Sequence, residues 1–480
     1  MRLPFQLRSF VVVLLCWGST LAAHASHLLC AELTYEYAGT AALPNQYRVM
    51  ARIFSDGDTA PPPLQITVYC AKNGCSTPGS FNATLGHTGY TTLATGCTNT
   101  NGPYIITLVE GLVQLPPARW ALSIDLAARI GGLVNLPQFP ATFLSTLVVA
   151  ELDNTTGLVN SSPRFTTSRL VRLVSTQPQH YSLNAFDSEG DSLAYELVQP
   201  RITASSNIPC GVGMPAPGTL APHFQVNAIT GELLTVAGVA QQGSYALAGR
   251  VNEYRRINGA WQQIGSIMAD RTYFFTAGAN QVPTFTSVAR TGSPTIQLLN
   301  QTIRVVAGQT LSLTLAATDA DAGQLVTLNS NVAGIVPGAT FQPLANGQGQ
   351  LTWQVPATLP PGRYAFTATA FDDACPVPGH GVLTLSFLVT PQVLAAQPSR
   401  QPLAQLPFPI PFQEEVRFRL TGPGRQPVVI TDELGRTVAQ LLSAADGSIV
   451  WRPAAAVSAG LYLARNLAGT QVARLSYTGH

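Results

Sequence analysis

Two short acidic stretches carry the residue types whose spacing points most directly to chemistry: AFDSEGDSLAYEL at 185–197 and ATDADAGQLVTL at 317–328. The first sets Asp187, Glu189 and Asp191 two residues apart in a glycine-containing turn, and the second does the same with Asp319 and Asp321. Carboxylates at this spacing aim hard oxygen donors at one point, which is the donor type calcium takes. The expectation is a calcium site at Asp187, Glu189 and Asp191. The competing reading is a solvated β-turn whose acidic side chains accept nearby backbone N–H groups. In the second stretch Gly323 and Gln324 stand where a third carboxylate would fall, so it is the poorer site.

Other chemistry-bearing residues are dispersed. Asp372 and Asp373 in FDDACPVPG end a strand before a Cys375-Pro376 turn, with no partner acid at readable spacing. His27, His87, His180, His223, His380 and His480 are scattered singly. No G-x-S-x-G elbow, H-E-x-x-H, P-loop or strand-borne G-x-G-x-x-G occurs, so no catalytic residues are assigned. The spacing VYCAKNGC is not a zinc pattern.

The elements that position these residues read as strands, because apolar residues recur at every second position. Trp120, Leu122, Ile124 and Leu126 share one face of ARWALSIDL; Leu351, Trp353 and Val355 do so in QLTWQVP, and Val416, Phe418 and Leu420 in VRFRL. Asn258-Gly259, Asn346-Gly347 and Asp446-Gly447 supply the positive-φ pairs of antiparallel hairpins. In the first of these, Tyr254 and Trp261 are expected to face each other, with Glu253 and Arg255 on the outer side. In ITDELGRTV at 430–438, Ile430 and Val438 are strand residues and Asp432, Glu433 and Gly435 make the bend. The fold class is all-β, with tandem antiparallel β-sandwiches.

Composition narrows the class further. Arg2 and Arg8 flank the start of an apolar run that ends in Ala23-His24-Ala25, the layout of a secretory signal cut after Ala25. Leu15 is too bulky for Cys16 to serve as a lipoprotein site, and no later apolar stretch is long enough to span a bilayer. Six cysteines then remain (Cys30, Cys70, Cys75, Cys97, Cys210, Cys375), an even number that favours disulfides, one of them local among Cys70, Cys75 and Cys97. Charged residues are 10% of the chain, the net charge is +2, and Lys72 is the sole lysine, which excludes a basic nucleic-acid surface. The 41 glycines and 36 prolines with 46% hydrophobic residues fit turn-rich sandwiches rather than disorder. Punctuation at 161–165, 277–285 and 391–412 divides the chain into a signal peptide at 1–25, domains at 26–161, 162–278 and 279–392, a linker at 393–404 and a last domain at 405–480.

The acidic stretches resemble the D-x-D-G-D-x-L segment of cadherin-like and bacterial Ig-like repeats; ITGELL at 229–234 resembles their T-G-x-L segment, and ANQVPTF resembles their inter-repeat linker, with Gln281 at an acidic position. ASHLLCAELTYEY, RWALSIDLAARIGGLVNL, NSSPRF, AFDSEGDSLAYEL, VNEYRRINGAWQQIGSIMADR and AFDDACPVPG look like landmarks of exported proteins of gliding Bacteroidetes-type bacteria. That resemblance implies cell-surface location and no established activity. PIPF at 409–412, VRFRL, ITDELGRTV, Trp451 and AGLYLAR at 459–465 resemble, in order, the C-terminal sorting domain of the type IX secretion system, with Ile410 where asparagine is usual. It implies recognition by the outer-membrane translocon, then release or surface attachment. The functional expectation is a secreted or surface-attached, non-catalytic protein of adhesion or envelope architecture, with an extracellular protein or a glycan as its partner. The alternatives are a carbohydrate-binding protein, with Trp261 as a platform, and a hydrolase with an unrecognised site in residues 26–161.

Overall fold

The computed structural model describes residues 28–56, 63–74, 78–93, 104–127, 129–137, 145–167, 172–174, 178–203, 213–216, 218–220, 223–235, 241–292, 296–297, 299, 301–375, 377–391, 402–433, 435–467 and 469–479. The expected signal peptide, Cys16, Cys75, Cys97, Cys210 and most of the expected linker lie outside them. The chain divides into two compact units, Met1–Gln392 and Val393–His480. It is all-β, and no helix among the described residues is long and apolar enough to cross a membrane.

The first unit opens with seven antiparallel strands: β1 (Leu28–Tyr37), β2 (Gln46–Asp56), β3 (Gln65–Lys72), β4 (Phe81–Leu93), β5 (Tyr104–Gln114), β6 (Arg119–Leu126) and β7 (Thr146–Asp153). They pair in the order β1-β2-β5-β4-β3-β6-β7. The long hairpin of Gly243–Ile257 and Ala260–Thr276 closes this layer. One edge of its second arm pairs along its length with the first arm; the other edge takes β7 at Gly265–Ile267 and β1 at Ala269–Arg271. The two faces are thereby sealed where they meet, and no open edge remains between β1 and β7. Inward positions fill the interior: Leu33, Val49, Val68, Leu85, Val109, Leu122, Ile124, Ala150, Val251 and Ile267 are all buried.

This sheet crosses the boundary expected at residue 161. Burying the inner faces of β1 and β7 requires the hairpin, so residues on both sides of 161 share one core. The Ser192–Val198 strand extends the sheet by pairing with the first hairpin arm, Leu193 opposite Glu253 and Ser192 opposite Tyr254.

A second sandwich follows within the first unit. Thr284–Arg290, Thr310–Thr318, Gln348–Gln354 and Ala339–Leu344 belong to a five-stranded sheet, facing a four-stranded sheet that includes Gly362–Phe371 and His380–Thr390. Trp353 sits at its centre with no exposed surface, its ring 4.7 Å from Phe366 and 5.3 Å from Phe387, and its indole N–H donates to Pro337 O at 3.2 Å.

The terminal unit, described by itself, packs a three-stranded sheet (Gln405–Phe408, Val416–Arg419, Ser448–Trp451) on a four-stranded one (Thr437–Leu442, Pro427–Asp432, Gly460–Asn466, Val472–Tyr477). Phe412, Val416, Phe418, Ile430, Trp451, Tyr462 and Leu475 form its own core. The expected alternation holds, with Val416 and Phe418 buried and Arg417 and Arg419 exposed.

Two of the three expected hairpins form. Asn258 and Gly259 have φ of 52° and 84° between Ile257 and Ala260, and Asn346 and Gly347 have 57° and 65° between Leu344 and Gln348. Asp446-Gly447 makes a tight turn, yet the strands beside it belong to opposite sheets, so it is an arch over the terminal core rather than a hairpin. The ITDELGRTV hairpin forms, with Ile430 opposite Ala439 and Asp432 accepting the Arg436 N–H at 2.8 Å.

Candidate functional site: a buried acidic cluster

The Ala185–Phe186 strand ends at Asp187, and the chain bends through Gly190, whose φ is +78°, into the Ser192–Val198 strand. Because Ser192 registers with Tyr254, Asp191 arrives beside Arg255 and on the same face as Glu253, by the period-two rule. Asp187, Asp191 and Glu253 thereby converge, each offering a carboxylate oxygen within 4.8 Å of the others. All three are buried, at 3%, 7% and 0% exposure.

The hydrogen bonds divide the six oxygens unequally. Asp187 Oδ1 accepts the Asp191 backbone N–H at 2.8 Å. Arg255 grips Asp191 with Nε at 2.7 Å and with Nη2 on the other oxygen, and it also donates to Val159 O at 2.8 Å and Asn160 Oδ1 at 2.6 Å. Asn160 in turn donates to Glu253 Oε2 at 2.9 Å. Asp187 Oδ2 and Glu253 Oε1 receive no hydrogen bond. Three carboxylates face one guanidinium, so the fully ionised cluster carries two uncompensated negative charges in a desolvated place.

That imbalance shows in the acidities. Burial pushes the Asp187 carboxyl up to about 7 against the pull of the Asp191 N–H, and the charges of Asp191 and Glu189 add to the rise. Burial, with Asp187 alongside, holds the Glu253 carboxyl well above the usual carboxylate range.

Two expectations are corrected here. Glu189 stays outside the cluster, partly exposed and bonded by the Ser188 hydroxyl at 2.6 Å, because the left-handed Gly190 turns the chain between it and Asp191. Glu253 points inward, and Tyr254 lies opposite Gln263 rather than Trp261, which instead faces Arg256. The two-residue Asn258-Gly259 turn pairs Ile257 with Ala260 and so sets Tyr254 opposite Gln263, while a bulge further along sets Gly265 opposite Glu253. Glycine is required there: a Cβ on residue 265 would come 2.5 Å from Glu253 Oε2 and 2.6 Å from the Tyr35 hydroxyl. The extra residue, Ile264 in the second arm, gave no periodic signal; Gly265 beside it was the one mark of it.

The second acidic turn is internally satisfied at several points. Asp319 Oδ1 accepts the Asp321 N–H at 2.8 Å, and Asp321 Oδ2 accepts the Gln281 N–H at 2.7 Å. Asn280 donates to Asp372 Oδ2 at 2.9 Å, and Asp372 Oδ1 accepts the Ala374 and Gly379 N–H groups. Asp372 therefore caps the turn after its strand.

Cys30 and Cys70 are buried free thiols, so the expected local bridge does not use Cys70. Burial pushes the Cys70 thiol up to about 12 and the Cys30 thiol well above its usual value, which leaves both poor nucleophiles at neutral pH.

No protein-family model matches the chain, and no curated protein does. Solved structures of tandem immunoglobulin domains are similar to it. The N-terminal four Ig domains of Dscam1 isoform 6.9 share 11% identity over 94% of this chain and 99% of that one, at a TM-score of 0.19. The tandem Ig repeats of Dlar share 11% over 48% and 96%, at 0.19, and the titin domains z1z2 in complex with telethonin share 18% over 42% and 100%, at 0.16. At these scores the likeness carries no argument about binding or activity, and the all-β architecture rests on the strand pairings themselves.

Proposed function

We propose that the chain is an exported, non-catalytic β-sandwich protein of the cell surface, serving adhesion or envelope architecture, whose terminal unit is its address for the type IX translocon. The observation that carries this reading is that the described residues of 405–477 form a seven-stranded sandwich with a private core around Trp451 and Phe418. A folded unit presents a fixed surface to a receptor without the ordering cost of a flexible tail. The test is deletion of residues 405–480 in a type IX-competent host followed by cell fractionation. Loss of surface delivery with a folded remainder is expected, and undiminished delivery overturns the reading.

A glycan as the partner is favoured by one surface. Trp261 is 63% exposed near the tip of the long hairpin, beside partly exposed Tyr254 and the Asn252–Gln263 amide pair, joined at 3.1 Å. An aromatic face flanked by amides suits a sugar ring and its hydroxyls. Binding to a glycan array that Trp261→Ala abolishes supports this reading; an array with no binding at all removes it.

A further inference from the structure

The cluster built by Asp187, Asp191 and Glu253 lacks positive charge in a place where charge is costly to leave uncompensated. The donors are all carboxylate oxygens, with no sulfur or imidazole among the three, which selects a hard cation over zinc or copper. Two of the oxygens, Asp187 Oδ2 and Glu253 Oε1, belong to side chains at least nine-tenths buried and accept no hydrogen bond. A buried carboxyl oxygen without a hydrogen-bond partner is a rare state in a folded protein, and it marks the place of a missing ligand. With all three carboxylates ionised and Arg255 counted, the residual charge equals that of one divalent ion.

We propose that Asp187, Asp191 and Glu253 together hold one hard divalent cation of the calcium class, which staples the acidic turn to the long hairpin. This donor set differs from the one that the spacing of the turn suggests: Glu189 is out, and Glu253 enters from a strand more than sixty residues away. The difference gives the ion a structural role. Asp187 and Asp191 belong to the turn, Glu253 to the first hairpin arm, and the turn backbone packs on the second sandwich, where a Cβ on Gly190 would meet the Tyr364 hydroxyl at 2.6 Å and Pro360 at 3.5 Å. Phe186, just before Asp187, lies 5.5 Å from the Tyr364 ring and 6.2 Å from Phe366. One ion therefore fixes three elements of the first unit: the hairpin, the turn and, through Phe186 and Gly190, the face of the second sandwich. Nothing in this depends on the route by which the chain reaches the surface.

The test uses the full mature chain, stripped with a chelator and titrated separately with calcium chloride and magnesium chloride by calorimetry, with thermal melts in parallel. One calcium per chain is expected, with a Kd below about 1 mM, and a higher melting temperature in its presence. Asp187→Asn keeps the acceptor for the Asp191 N–H, so the turn is retained, and it should weaken binding at least about tenfold, as should Glu253→Gln. Asp321→Asn, in the other acidic turn, should bind as the unaltered chain does. Circular dichroism checks that each variant is folded; if Glu253→Gln is not, Asp187→Asn decides alone. Absence of binding up to about 10 mM, or binding that survives Asp187→Asn but is lost in Asp321→Asn, overturns the proposal. So does a stripped Asp187→Asn protein that melts higher than the unaltered chain when no cation binds either, because the missing charge is then a proton.

Discussion

Asp270→Asn removes one charge from the pair that anchors the segment before Leu133 to the long hairpin, and its cost can be worked from the structure. Arg129 and Asp270 form a bidentate pair, Nη1 to Oδ1 at 2.6 Å and Nη2 to Oδ2 at 2.5 Å, with both side chains 1% exposed. Leu28, bridged to Arg129, and Ala31 and Ala248, opposite Asp270 on the neighbouring strands, are buried as well. The substitution preserves shape but leaves the guanidinium buried without its counter-charge, which costs about 3–5 kcal/mol and lowers the melting temperature on the order of 10 °C. Arg129→Met with Asp270→Leu removes both charges and fills the space with apolar groups, so the double variant should lie within about 1–2 kcal/mol of the unaltered chain. The assay is a double-mutant cycle on thermal melts followed by circular dichroism. A single substitution costing under about 1 kcal/mol, or a double variant as unstable as the single, refutes the reasoning that this pair is desolvated and mutually dependent.

Three further outcomes follow from the same geometry. His180 and Glu232 pair at 2.8 Å, which raises the imidazole and lowers the carboxyl, so their contribution is present between the ordinary values of about 4.5 and 6.5, fading as pH rises through the raised His180 value and as it falls through the lowered Glu232 value. Both are roughly half exposed, so Glu232→Gln should cost no more than about 0.5 kcal/mol, measured as a melting difference that peaks near pH 5.5 and vanishes by about pH 9. Gly231→Ala should cost about 2 kcal/mol or more, because φ is +71° and the new Cβ would lie 2.9 Å from Asn184 N and from the Tyr195 ring, whereas Gly259→Ala, with φ +84° and open space, should cost about 1 kcal/mol; chemical denaturation separates the two. Trp353→Ala should destabilise by about 3–5 kcal/mol, read in the same way.

The strands were legible because burial of one face imposes period two, and Trp120, Trp353 and Phe418 declare that face without ambiguity. Asn258-Gly259 and Asn346-Gly347 were legible for a local reason: their positive φ values are a property of the dipeptide. Asp446-Gly447 carries the same signal and yields an arch, because tertiary packing sends the strands on either side to opposite sheets. The closure of the first layer was not legible, since one edge of the hairpin pairs with β1, more than two hundred positions away, and with β7, more than one hundred positions away. The candidate site was half legible. Asp187 and Asp191 follow from the turn; Glu253 depends on a bulge that shifts its partner from the periodic position to Gly265, and no local pattern marks that shift in the first arm.

The central claim is that the terminal unit is an address, and a transplant tests it most directly. Residues 393–480 are fused behind a signal peptide and a reporter enzyme, and the fusion is expressed in a type IX-competent host. Reporter on the cell surface or in the medium is expected, with periplasmic retention when Trp451, buried against Phe412 and Tyr462, is replaced by alanine. A folded fusion that stays in the periplasm with the native unit intact would contradict the account.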